Sequence, residues 1–283
     1  IEKYGEEVVG WKSSSLDRFP VLIKFIDAKN ALSIQIHPDD DYALENENEF
    51  GKNEMWYVVD CEPGAYLYCG LKQDSSKEEI RERIENNTIT EILNKIEVHK
   101  GDCVMVKAGT IHAIGAGILI CEIQQNSNCT YRMYDYDRRD KFGNRRELHI
   151  SKAIDVVDVK KYKPFVSGNS DVPEGAELLV SCKYFECYKY VLGKSMDMDD
   201  SSDKDIGNND DGNSDIVAKP ATDRINISVD TMSFRSIIII EGSGKITVGE
   251  NEMDYRAGDS FFVTAGEKVV SVEGTGVIIV TKV

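Results

Sequence analysis

The run Ser33-Ile34-Gln35-Ile36-His37-Pro38-Asp39-Asp40 sets an amide and an imidazole two residues apart, ahead of two carboxylates. Read as a strand, it turns alternate residues to the same side. Gln35 and His37 then share one face, and Ile34 and Ile36 the other. Pro38 and the two aspartates end the strand. Glu54 opens a further apolar run, Glu54-Met55-Trp56-Tyr57-Val58-Val59. His112 stands after a Gly-Asp turn, an apolar stretch and an Ala-Gly turn, where another strand starts. Imidazole, carboxylate and amide oxygen together suit a borderline divalent ion such as zinc, with one position kept open for water or substrate if the centre is catalytic. The candidate ligands are therefore Gln35, His37, Glu54 and His112. His99 and His149 lie in polar surroundings and read as surface residues.

Short strands must carry these groups. Val21–Ile26, Leu32–Ile36, Trp56–Val59, Ala65–Cys69, Cys103–Val106 and Ile118–Gln124 are apolar or alternating runs bounded by turn residues. Helical spacing of isoleucines over 75–95, with Ser76 and Glu79 placed as a capping box, predicts a small helical insertion. Periodicity fades over Val159–Asp171, which reads as a linker. From Gly193 to Asp223 the chain is rich in Asp, Ser, Asn and Gly and predicts a mobile acidic loop, 193–223. Strands return at Ser236–Ile240, Lys245–Val248, Ser260–Val263, Val269–Val272 and Val277–Thr281, divided by glycine-rich turns.

An internal repeat underlies this pattern. Gly101-Asp102 through Ala108-Gly109 and Gly258-Asp259 through Ala265-Gly266 both read GDxxxVxAG. His112 is three residues past the first copy and Val269 three past the second. The repeat resembles the second conserved motif of cupins, small double-sheet barrels with an internal metal, although Lys107 and Thr264 stand where cupins usually have proline. Two copies imply a bicupin, an all-β dominated chain of two jelly-roll β-barrels with the helical insertion in the first. The expected division is 1–160, carrying the metal, and 161–283, a degenerate cupin. Valine cannot coordinate a metal, so Val269 marks the second copy as metal-free.

The chain has 283 residues, 50 of them acidic and 34 Lys or Arg, for a net charge of −16. Such a field opposes nucleic acid and anionic membranes as partners. It also means that a phosphorylated substrate needs a local cluster of Lys and Arg. No apolar stretch is long enough to span a bilayer, and no signal-peptide pattern opens the sequence. The seven cysteines form no CxxC pair and read as reduced thiols of a cytoplasmic protein.

Four stretches carry a closer resemblance: "LSIQIHPDD" (Leu32–Asp40), "GKNEMWYVVD" (Gly51–Asp60), the run from Lys107 to Arg138, and "EEIRERIENNTITEILNKI" before the second motif. They resemble type I mannose-6-phosphate isomerases of the compact bacterial kind, from about Phe19 to Ile150 and more weakly beyond. The resemblance implies one zinc ion on Gln35, His37, Glu54 and His112. It implies interconversion of mannose 6-phosphate and fructose 6-phosphate through an enediol(ate), with a small-molecule sugar phosphate as partner and a monomeric or homodimeric state. Lys52 and Glu122 match the two groups proposed as the base. Arg132 matches an active-site arginine. Lys24, Ser33 and Arg138 match phosphate contacts. Arg138 could equally pair with Asp135 or Asp140. Larger family members have a histidine where Gly51 stands. Family members also have a segment ahead of the position of Ile1, so a longer chain is expected.

Two other functions fit parts of the pattern. A non-catalytic sugar-phosphate-binding cupin would share the ligands but need not keep Lys52 and Arg132. An iron cupin oxygenase more often has three histidines and a glutamate; Gln35 argues against it.

Overall fold

The computed structural model describes residues 5–168, 170–193 and 223–283. The acidic insert expected over 193–223 therefore lies outside the described residues, its two end residues excepted. In chain order the elements are α1 (Glu6–Val9), β1 (Val21–Ala28), β2 (Ile34–Ile36), α2 (Asp40–Glu47), β3 (Glu54–Cys61), β4 (Tyr66–Leu71), α3 (Lys77–Glu85), β5 (Leu93–Glu97), β6 (Cys103–Val106), β7 (His112–Ile114), β8 (Ile118–Gln125), β9 (Tyr131–Tyr134) and α4 (Ile150–Val156). Then come β10 (Ala176–Ser181), β11 (Glu186–Leu192), β12 (Arg224–Val229), β13 (Arg235–Val248), β14 (Asn251–Arg256), β15 (Ser260–Val263) and β16 (Lys268–Lys282). The protein is mostly β. Among the described residues no helix is long and apolar enough to cross a membrane.

The chain forms two compact units. The first comprises Leu16–Gly168 with Cys182–Tyr184; the second comprises the described residues of Ile1–Ser15, Asn169–Ser181 and Phe185–Val283.

In the first unit two antiparallel sheets face each other, one ordered β1-β8-β3-β6 and the other β5-β4-β7-β2-β9. Trp56, Val58 and Ile120 of one sheet and Leu67, Cys69 and Ile114 of the other share one buried core. The second sheet also has an outer core, formed by Ile34, Ile36 and Ala113 against Ile80 and Ile84 of α3 and Ala153 and Ile154 of α4. The period-two pattern of β2 is thus satisfied on both sides: the isoleucines face the helices, which leaves Gln35 for the space between the sheets. Within the expected insertion, Ser76 caps α3 by accepting from the Glu79 amide at 3.1 Å. Glu79 completes no reciprocal box; its carboxylate takes Ser75 Oγ at 2.7 Å instead. A 3-10 turn at Ile89–Glu91 follows, and from Leu93 the chain is already strand. The sequence pattern gave no sign of α2, although Asp39 caps it by accepting from the Tyr42 amide at 3.0 Å and Asn48 closes it at φ 52°.

The second unit is one sheet with path β10-β11-β16-β13-β14, to which β12 adds on β16 and β15 on β13. The glycine-rich stretches expected as turns lie inside two long strands. Gly242 pairs with Gly276 and Gly244 with Gly274 in the β13–β16 ladder. A Cβ on Gly242 would sit 1.9 Å from the Thr275 carbonyl oxygen, and one on Gly276 1.9 Å from that of Glu241. The glycines let two backbones approach where any side chain would collide, with φ of 89° and 136°. At that point both strands change partner. β16 pairs with β12 before it and β11 after it, while β13 passes from β15 to β14. Tyr188, Tyr190, Ile237, Ile239, Val270 and Val272 fill the core.

Candidate metal centre

Three side chains from three chain positions meet between the sheets of the first unit. His37 follows β2, Glu54 opens β3 and His112 opens β7. Their ligand atoms all lie within 4.8 Å of one another, the one such group of His, Cys, Asp or Glu among the described residues. All three are buried. Glu54 Oε2 is 3.4 Å from His37 Nε2, and Glu54 Oε1 is 3.3 Å from His112 Nε2. Two donors bound at about 2.0–2.1 Å to a tetrahedral ion would themselves be about 3.3 Å apart. The observed spacings match that figure. Glu54 Oε1 is buried without a hydrogen-bond partner, a costly arrangement that a cation would relieve.

Each imidazole is aimed from behind. His37 Nδ1 bonds the Cys129 carbonyl at 2.9 Å, and His112 Nδ1 bonds the Thr110 carbonyl at 2.8 Å. With the proton on Nδ1, the Nε2 lone pair of each ring faces the cluster, the usual second support of a metal-binding histidine. Burial, and then the Lys52 charge, push His37 down to about 4. Burial also lowers His112. Both rings are therefore neutral near pH 7 and free to donate electrons. Burial alone would raise Glu54, but the Lys52 charge against it holds it well below the usual carboxylate range.

Gln35 reaches the cluster through its amide, with Nε2 3.3 Å from His112 Nε2. Turning the amide by half a turn would present its oxygen there instead. Lys52 is buried, with Nζ 3.0 Å from His37 Nε2 and in contact with Glu54 Oε2. Gly51 precedes it for a steric reason. A Cβ at that position would lie 2.4 Å from the Asp39 carbonyl carbon and from the Asp40 nitrogen. With this backbone no histidine fits there.

Glu122 lies in a row that runs across the first sheet. Lys24 on β1 and Trp56 on β3 are its direct cross-strand partners. The Glu122 carboxylate accepts from Lys24 Nζ and from Trp56 Nε1, both at 3.0 Å. Lys24 also donates to Gln124. Arg132 on β9 is the ladder partner of Gln35. Its Nη1 donates to the Glu147 carbonyl at 2.9 Å, and its Nε is buried without a partner. Arg138 is gripped by Asp135 and donates to the Ala31 carbonyl at 2.6 Å, two residues from the buried Ser33. The structure thus brings Gln35, Lys52 and the three buried candidate ligands together. It sets Lys24 with Glu122 on the facing sheet, and Arg138 beside the Ser33 segment.

Two residues escaped the sequence pattern. Trp56 packs edge-on to His112 at 5.4 Å between ring centroids; its place two residues after Glu54, on the same strand face, was the available signal. His149, read as a surface residue, accepts the Arg132 backbone amide at 3.1 Å. His99 is exposed beside Asp102. Val269, which stands at the position of His112 in the second repeat, does not face inward as His112 does: it is 54% exposed, and Val270 and Val272 fill the core instead.

Facing antiparallel sheets around a buried carboxylate and two imidazoles define a β-sandwich protein with a metal-capable centre. The family model for the type I phosphomannose isomerase catalytic domain matches residues 1–62, and the model for the mannose-6-phosphate isomerase cupin domain matches 223–283. Mannose-6-phosphate isomerase ManA of Bacillus subtilis is 36% identical over 268 residues, covering 94% of this chain and 75% of that protein. The mannose-6-phosphate isomerase of Streptococcus mutans is 37% identical over 262 residues, covering 91% and 72%. A crystal structure of the mannose 6-phosphate isomerase from Bacillus subtilis superposes with a TM-score of 0.77 at 33% identity, over 94% of this chain and 76% of that one. The chain belongs to the type I mannose-6-phosphate isomerase family, whose members are aldose-ketose isomerases.

Proposed function

We propose that the chain interconverts mannose 6-phosphate and fructose 6-phosphate, with one zinc ion held by His37, Glu54, His112 and the amide oxygen of Gln35. The carrying observation is the buried Glu54 carboxylate, 3.3–3.4 Å from two imidazole nitrogens, with one oxygen unpartnered. When bound, zinc supplies Lewis-acid stabilisation of charge on the sugar oxygens. The two histidines keep their lone pairs at neutral pH because burial keeps them unprotonated.

A proton must leave C2 of the aldose and return to C1, passing through an enediol(ate). Lys52 is the better placed of the two candidate bases, because its Nζ touches the cluster itself. Glu122 is committed to Lys24 and Trp56, which gives it an anchoring role. Arg132, partner of Gln35 in the ladder, supplies positive charge for the developing enediolate. Lys24, Ser33 and Arg138 contact the phosphate, Arg138 in a position set by Asp135. Gly51 leaves ring opening to water, to another side chain, or to sugar that is already open.

The proposed organisation is a bicupin: a catalytic repeat over 1–160 and a metal-free one over 161–283. The proposed setting is the cytoplasm, with the chain as a monomer or homodimer.

The test is metal analysis of the purified protein, followed by a coupled assay of mannose 6-phosphate formation from fructose 6-phosphate. Turnover that follows zinc content is the expected result. No turnover at full zinc occupancy would overturn the isomerase reading and favour a sugar-phosphate-binding role.

A further inference from the structure

The first unit also has a cavity of about 260 Å³. Its lining includes Lys107, Lys160, Lys161 and Lys163, the aromatic rings of Tyr162 and Phe165, and a single carboxylate, Asp158. It shares none of the candidate metal, catalytic or phosphate residues described above. Lys160 is neutralised by Asp74 at 2.9 Å. Lys107 stands over the Phe165 ring, 5.0 Å from its centroid. Among the described residues no carboxylate forms a direct ion pair with Lys107, Lys161 or Lys163, although the Lys163 charge also acts on Asp74.

That grouping runs against the rest of the molecule. With 50 acidic residues to 34 basic ones, a surface lysine of this chain has carboxylates in excess to choose from. Three ammonium groups around one concavity repel each other, and a concave wall concentrates their field. The lysines do not arise from one run alone. Lys107 follows β6, while the others belong to the segment after α4, which bridges to Leu71 of β4 through Lys161. Two separate stretches therefore converge their positive charge on one space. The volume falls just below the usual span for small-molecule sites, about 300–1,000 Å³. It admits a compact anion and excludes a dinucleotide.

We propose that this cavity is an anion-binding site separate from the metal centre, for a small phosphate ester or polycarboxylate. Lys107, Lys161 and Lys163 supply the charge, and the Tyr162 and Phe165 rings form the apolar wall. The proposal does not depend on the isomerase reading, because it is tested by binding rather than turnover.

The experiment is calorimetric titration of the zinc-loaded protein with inorganic phosphate and, separately, with tricarballylate. A binding event that survives Lys24→Ala but weakens about tenfold or more in the Lys161→Ala, Lys163→Ala double variant is the expected result. Lys107→Ala, from the other stretch of chain, should weaken the same event. The tighter of the two probes identifies the anion class. Overturning results would be titrations unchanged by these lysine substitutions, or no binding of either probe beyond what Lys24→Ala removes.

Discussion

One Gly-Asp turn, four-residue strand and Ala-Gly turn lead to a buried histidine in the first unit; the same turns in the second lead to an exposed valine. The two copies align without a gap through Gly109 and Gly266, sharing GDxxxVxAG, and β6 and β15 are both four residues long. They part afterwards. β7 begins at His112, three residues past its glycine, whereas β16 begins at Lys268, two residues past. A one-residue change of onset exchanges the two faces of a strand. His112 therefore enters the core, and Val269 leaves it. The second copy lacks a ligand for two independent reasons: valine has no donor, and the inward place belongs to Val270. A sequence repeat fixes turns and strand length well, but not which face a following residue takes.

The largest effect belongs to His112→Ala, which should remove bound metal by elemental analysis and reduce turnover to background while far-UV circular dichroism stays native. Metal retained at wild-type content would end the ligand assignment.

Next come the glycines. Gly51→Ala and Gly242→Ala each force a Cβ into backbone, at 2.4 and 1.9 Å. Each should cost about 3 kcal/mol or more, above the ordinary range for overpacking, because backbone cannot move aside as a side chain can. Thermal melts would read both losses. Only Gly51→Ala should also lower turnover per folded molecule, since it displaces Lys52 and Glu54. Equal activity loss in the two variants would contradict that separation.

A smaller change is expected from Asp135→Asn. Burial opposes ionisation of Asp135, but Arg146 and Arg138 overcome it and hold its carboxyl below the ordinary value. Such a group adds stability above its unfolded pKa of about 3.9, and the contribution is lost as pH falls through the folded value. The variant should lose about 1–2 kcal/mol near pH 7. In acid the two proteins should converge; denaturant melts across pH 2–7 that remain parallel would refute the linkage. The smallest effect is that of Val269→Ala, within about 0.5 kcal/mol by the same melts, because its side chain is largely in water.

The first unit was more legible in sequence than the second. Alternation in Gln35-Ile36-His37 predicted which residues would meet, because a strand with a packed face on each side leaves little choice of orientation. In the second unit, Gly242-Ser243-Gly244 and Gly274-Thr275-Gly276 read as turns by composition. Their true role, close contact between two continuous strands, depends on a partner about thirty residues away that local pattern does not reveal. The support given to Arg132 by His149 was invisible for the same reason, as were the carbonyls of Thr110 and Cys129, whose function carries no side-chain signature.

The centre is assembled from distant parts of the chain. Gln35 lies directly opposite His112 in the β2–β7 ladder, and Glu54 approaches both histidines from the facing sheet. None of the three buried candidate ligands neighbours another along the chain, and the one local pair, Gln35 with His37, sets a weakly donating amide beside a single imidazole. Closing so wide a loop costs chain entropy before any contact rewards it. A growing polypeptide therefore offers no complete site until His112 has been synthesised and the sandwich has closed. Selection of the ion is left to the finished protein, where geometry rather than encounter order decides what stays.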